Sequence, residues 1–211
     1  MDKLVFDFIF FKQTGIFAMP TSMLGPHTRA ILTSAVVCIT LIFYFTLMPD
    51  VYVWLFPFFE WMETTWFGII GKTWGAAFAF VQTIHLLSLA LLGGAVLAAE
   101  GRVLGFLLTD ISAKVVIERC NTLLVWALVI LISTGIFMAC GVALKIYYLP
   151  VFWYKMLALA AGILFHFCVR KPLLKFDLEH INPMIVKMTA LSSILVWFMV
   201  AATGRWIGFS G

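Results

Sequence analysis

Five apolar runs dominate this chain, at residues 31–48, 75–98, 122–144, 151–169 and 185–204, each long enough to cross about 30 Å of hydrocarbon at about 1.5 Å per residue. Within lipid there is no water to satisfy backbone N–H and C=O groups, so a spanning segment must be a helix or a strand of a closed barrel. The runs show no period-two alternation of apolar and polar residues, which argues against strands. The expected fold is therefore all-α: a polytopic membrane protein with five transmembrane helices in one bundle. Composition agrees, since 64% of residues are hydrophobic and 11% charged, against about 45–50% apolar and about 25% charged in soluble domains. In 211 residues, a run-plus-loop arithmetic leaves room for one compact bundle.

Lysine and arginine set its orientation. Lys3, Lys12 and Arg29 precede the first run, Arg102, Lys114 and Arg119 lie between the second and third, and Arg170, Lys171, Lys175 and Lys187 lie between the fourth and fifth. The other side receives only Lys72, Lys145, Lys155 and Arg205, beside Asp50, Glu60 and Glu63. By the positive-inside rule the N-terminus is cytoplasmic and the C-terminus periplasmic. Residues 1–30 read as a cytoplasmic or interfacial segment, with KLVFDFIFF able to lie on the membrane surface, and 31–48 as an additional spanning helix. Residues 49–74 read as an aromatic periplasmic interfacial loop, broken by Pro57 and carrying Trp54, Trp61 and Trp66, and 75–211 as a four-helix transmembrane bundle. The loop at 170–183 is expected to be a short basic turn between Pro172 and Pro183. Asp2 and Asp7 spoil the basic region a signal peptide would need, so the first span is expected to be retained. Cys38, Cys120, Cys140 and Cys168 form no CxxC and read as small core residues.

Ionisable groups inside apolar runs are costly and so point to function. His85 lies near the middle of the second run, with Gln82 and Ser88 about one turn away on either side. His166 lies in the fourth, with Gly162 and Ala158 one and two turns before it. Two readings are open. The histidines and small residues serve helix packing, or they hold a flat porphyrin whose iron the histidines bind. The second reading makes His85 and His166 axial ligands of a b-type haem, with Gln82 and Gly162 lining it. A depth offset of about 7 Å between the two histidines, counted at 1.5 Å per residue from the starts of their runs, has to be absorbed by tilt if one iron is shared. Lys155 and Arg205 on the periplasmic side either hold haem propionates or a quinone head group, or snorkel and pair with Glu60 and Glu63. Glu100 and Arg102 are expected to form a local pair. His27 and His180 read as solvated surface residues. No metal-protease, phosphate-loop or nucleophile-elbow motif occurs, and no basic run is dense enough for nucleic acid.

From about Phe58 onward the chain resembles a family of bacterial integral membrane proteins of unknown function. The resemblance rests on FEWMETTWFG, HLLSLALLGG leading to GRVLG, STG at 133–135, FWYK to FH at 152–166 and the closing GRWIGF. It implies a multi-pass protein of the bacterial inner membrane. More loosely, a central histidine followed by a glycine pair is similar to the membrane domains of copper-resistance D proteins and four-helix b-type cytochromes. Three functions follow as expectations. The first is a haem b subunit that transfers electrons between quinone and a periplasmic partner. The second is a non-catalytic accessory subunit that scaffolds a larger membrane complex with other membrane or periplasmic subunits. The third is a small transporter using His85, Gln82 and methionines, which the dispersal of those methionines weakens.

Overall fold

The computed structural model describes residues 53–175 and 182–210. The expected first span at 31–48, the segment 1–30, His27 and His180 lie outside those residues. All regular structure among the described residues is helical. Helix α1 covers residues 53–64, and α2 (Trp66–Thr73), α3 (Gly75–Leu104), α4 (Ala113–Gly141), α5 (Ala143–Tyr147) and α6 (Pro150–Leu164) follow. A π-helical turn (Phe165–Arg170), α7 (Lys171–Lys175) and α8 (Pro183–Ile207) complete the chain.

Among the described residues, four stretches are long and apolar enough to cross a membrane: Gly75–Leu104, Ala113–Gly141, Pro150–Leu174 and Pro183–Ile207. Less than a third of the apolar window in each is buried within the protein. Most of that apolar surface therefore needs a hydrocarbon surround, and these are the spans of a multi-pass membrane protein. Helix α4 starts nine residues before the apolar run it contains because Lys114, Glu118 and Arg119 continue the helix beyond the hydrocarbon. The helix ends have local causes. Gly105 takes a left-handed conformation, φ 86°, and lets the Phe106 and Leu107 N–H groups donate back to the Gly101 carbonyl. Asn182 caps α8 by accepting from the Met184 N–H, with Pro183 in the first turn.

Segment 49–74, read from sequence as a loop, is helical over its described part. Thr65 breaks it into α1 and α2 and caps α2 by accepting from the Gly68 N–H. Phe59 and Met62 of α1 are buried with Cys140, Ala143, Ile146, Tyr147 and Phe152, forming an aromatic cap over the ends of α4 and α6. Glu63 fastens it: one carboxylate oxygen accepts from the Leu144 N–H at 2.8 Å and the other pairs with Lys72. On the other side of α2, a Cβ on Gly71 would sit 2.9 Å from the Gly141 Cα, so two glycines let α2 touch the end of α4. This end of the bundle is called the aromatic end. The opposite end carries Arg102, Lys114, Arg119, Arg170, Lys171 and Lys187 and is called the basic end.

Helix α3 packs on α4 and α8, and α6 packs on α8. Toward the basic end the core is closed by Leu92, Val96, Ala99, Leu124, Ala127, Leu128, Trp197 and Val200. Toward the aromatic end burial stops. No residue is buried on α3 before His85, on α4 between Leu131 and Cys140, on α6 between Phe152 and Gly162, or on α8 beyond Val200. An incompletely covered layer thus separates the inner core from the aromatic cap, and His85 is at its floor.

Candidate functional site

His85 is buried on α3, and its Nδ1 is 2.8 Å from Thr134 Oγ1 on α4. The Thr134 hydroxyl has one hydrogen, which it donates to the Ile130 carbonyl one turn back at 2.7 Å. With its hydrogen on that carbonyl it accepts from a protonated Nδ1, and the Nε2 lone pair is then free, which is the tautomer a metal-ligating histidine needs. Gly135, the next residue, makes room for the ring: a Cβ there would lie 3.3 Å from His85 Cε1. Thr134 and Gly135 thus act together, one holding the imidazole and one admitting it. Sequence reasoning passed over both, because threonine and glycine are ordinary within an apolar helix; the STG triplet was the signal.

Lys155 comes in from α6. Its side chain lies along Gly204 of α8, where a Cβ would be 3.5 Å from Lys155 Cε, and its charge acts on the His85 ring. The ion pairs among the described residues are Glu63–Lys72 and Glu100–Arg170, so Lys155 and Arg205 are not paired with Glu60 or Glu63. Arg205 is exposed and stacks over Phe209, 4.4 Å from the ring centroid. Gln82 is exposed and does not share the buried face of His85. Ser88 is buried there, its hydroxyl spent on the Ile84 carbonyl.

His166 belongs to a different layer. It is fully buried in the π turn, and neither ring nitrogen has a hydrogen-bond partner among the described residues. Gly162, one turn earlier, faces α8: a Cβ would lie 3.2 Å from Val196 Cγ1 and 3.6 Å from the Trp197 ring. That glycine seats α6 against α8. Glu100 does not pair with Arg102, whose Nε donates to the Ile111 carbonyl. It forms a fully buried ion pair with Arg170, seventy residues away.

The Glu100–Arg170 pair sets α3 and α6 in register. His85 lies fifteen residues from Glu100, and His166 four from Arg170, both toward the aromatic end. At about 1.5 Å per residue the histidines differ in depth by roughly 16 Å before side-chain reach is counted. The two rings occupy separate layers, and the expectation of one iron shared by both is not met by this register. No group of three or more His, Cys, Asp or Glu side chains that could hold a metal ion occurs among the described residues.

Residues 58–210, from within α1 to the end of the described chain, match the family described as "Family of unknown function (DUF6644)". The chain belongs to this family. The match takes in all four spanning helices together with His85, Thr134, Gly135, Lys155 and His166. No curated protein and no solved structure matches the chain.

Proposed function

We propose that the protein is a membrane b-type haem subunit that transfers electrons between a quinone and a periplasmic partner, with the haem held at His85. The observation that carries this reading is the His85–Thr134 pair, which engages Nδ1 and leaves Nε2 as the nitrogen available to a ligand in the incompletely covered layer below the aromatic cap. The residues there fit such a group. Gly135 is a place where a Cβ would crowd the His85 ring, Lys155 lies against Gly204, and the Lys155 ammonium supplies a cation for a propionate. Arg205, exposed at the mouth of the same end, is the second candidate for that role. Haem iron bound there would supply one-electron chemistry. Thr134 would fix the imidazole, Gly135 would set its approach, and Lys155 would balance carboxylate charge away from water. Basic residues gathered at the opposite end support an orientation with the aromatic end, and with it the site, on the periplasmic side of an inner membrane. The looser likeness to copper-resistance D and b-type cytochrome membrane domains supports the same reading.

A reduced-minus-oxidised visible spectrum with a pyridine haemochrome assay tests it on protein extracted gently from membranes. About one haem b per chain, lost in His85→Ala and retained in His166→Phe, is the expected result. Protein free of haem would overturn the reading in favour of the accessory subunit, a role to which the exposed row Trp54, Trp61 and Trp66 on the cap gives a surface.

A further inference from the structure

The basic half of the bundle carries a second polar site that the His85 layer does not use. Within one helical turn of each other on α6 and α8 lie His166 and Ser193, both 0% exposed, and Trp197, 3% exposed. His166 Nδ1, His166 Nε2 and Trp197 Nε1 have no hydrogen-bond partner among the described residues, and Ser193 Oγ has none but the Glu100 carboxylate it adjoins. Gly162 touches Trp197, and α6 and α8 run antiparallel, so one turn further toward the basic end brings His166 level with Ser193. Ser193 in turn approaches the Glu100 carboxylate from α8, while Glu100 is held by Arg170. The charges that act on His166 are those of Arg170 and Lys171 from its own segment, the Phe167 ring packs edge-on against it, and Cys120 of α4 lies beside the Glu100–Arg170 pair.

Leaving such groups unpaired costs about 1–3 kcal/mol each. Helix α6 reaches them through a π turn, which has a cause in the sequence. Pro172 has no N–H to give to Cys168 and its ring would collide with that carbonyl, so the preceding turn widens and the Lys171 N–H reaches the His166 carbonyl five residues back. The widened turn advances less per residue than an α turn. Arg170 is thereby brought back onto the face of His166 and Gly162, where both His166 and Arg170 are buried.

We infer that His166, Ser193 and the Glu100–Arg170 pair bind internal water and form a proton-exchange site served from the basic end. An imidazole with both nitrogens unengaged is the one side chain that accepts a proton at one nitrogen and releases one from the other. One proton enters, one leaves, and the ring changes tautomer without keeping a charge. Water bridging Ser193 Oγ, the Glu100 carboxylate and a His166 nitrogen has the two to four polar partners that a buried water requires. Toward the aromatic end the path stops at Leu92, Val96, Leu124 and Leu128, all buried and apolar. The site therefore exchanges protons with the basic face and does not conduct across the membrane.

The test needs no haem and so fails or succeeds independently of the reading for His85. Haem-free protein in lipid nanodiscs, with ¹³C-carbonyl Phe and ¹⁵N His, is studied by solid-state NMR. Phe-His occurs once in the sequence, at 165–166, so His166 is assigned without substitution. The expected result is magnetisation transfer from water to both ring nitrogens of His166, weakened several-fold in Ser193→Ala. A His166 ring that shows no transfer from water, or transfer unchanged in Ser193→Ala, overturns the proposal.

Discussion

At the residue scale, two hydrogen bonds decide what His85 is able to do. With its only proton on the Ile130 carbonyl, Thr134 is an acceptor for a protonated Nδ1. Replacing it with valine keeps the shape and removes the acceptor, freeing the imidazole to rotate and change tautomer. Because partners of a ligating histidine typically contribute 10–100-fold to affinity, Thr134→Val is expected to weaken haem binding by about tenfold in a titration of the haem-free protein, with insertion unchanged. Equal affinity would mean that Thr134 plays no part in holding the ligand. The Glu100–Arg170 pair is a different case. Removing one partner strands the other charge in a fully buried place, so Arg170→Met is expected to cost about 3–5 kcal/mol in chemical unfolding from detergent micelles. The double variant Glu100→Leu/Arg170→Met should recover most of that loss, since a buried pair is worth little against apolar residues of similar volume. His85 and His166 were legible in the sequence because a titratable group within an apolar run stands out. The partner of Glu100 was not. Arg102 is two residues away in the chain and Arg170 seventy, and nothing in the local pattern says that α6 brings the distant one closer.

At the element scale, the spanning helices were legible and their ends were not. Hydropathy marks where lipid begins, but α4 runs on through Lys114, Glu118 and Arg119, which are good helix formers in water. Pro172 was read as the end of a helix, and instead the helix continues after a π turn that absorbs the missing hydrogen bond. The cap formed by α1 and α2 was seen only as an aromatic stretch, because its contacts are distant in the chain: α1 packs against α5 and α6, and α2 against α4. Its attachment predicts a pH dependence. Burial by itself raises the Glu63 carboxyl, but the Lys72 ammonium and the Leu144 N–H more than offset this and hold it below its ordinary value. A carboxyl depressed in the folded state stabilises docking above its unfolded pKa, and that contribution is lost as pH falls through the folded value. Cap docking is therefore expected to be complete at neutral pH and to loosen on acidification through and below the ordinary carboxylate range. Lys72 is half exposed, so the contribution is at most about 1 kcal/mol. Limited proteolysis between α1 and α2 across pH would follow it, and Glu63→Gln should be more readily cleaved at neutral pH and lose the acid dependence.

At the scale of the whole molecule, the two ends of the bundle differ in kind. Arg102, Lys114, Arg119, Arg170, Lys171 and Lys187 gather where α3 and α6 end and α4 and α8 begin. At the other end Lys72 is neutralised by Glu63, Lys155 turns inward along Gly204, and Arg205 stacks on Phe209. Three of the four cations that remain there are thus engaged with the protein, which sharpens the asymmetry that the simple count of Lys and Arg already showed. A charge bias of this sort keeps the basic side in the cytoplasm during insertion. The chain after α8 should then emerge on the opposite face. In a bacterial host, alkaline phosphatase fused after Gly211 is expected to be active, and a green fluorescent protein fused at the same place to be dark. The same fusions placed in the α3–α4 connection at Asp110 should give the reverse. A fluorescent C-terminal fusion with an inactive phosphatase would turn the bundle over. It would put the His85 layer on the cytoplasmic side and the His166 site on the periplasmic side, and electron exchange with a periplasmic partner would no longer be open to this protein.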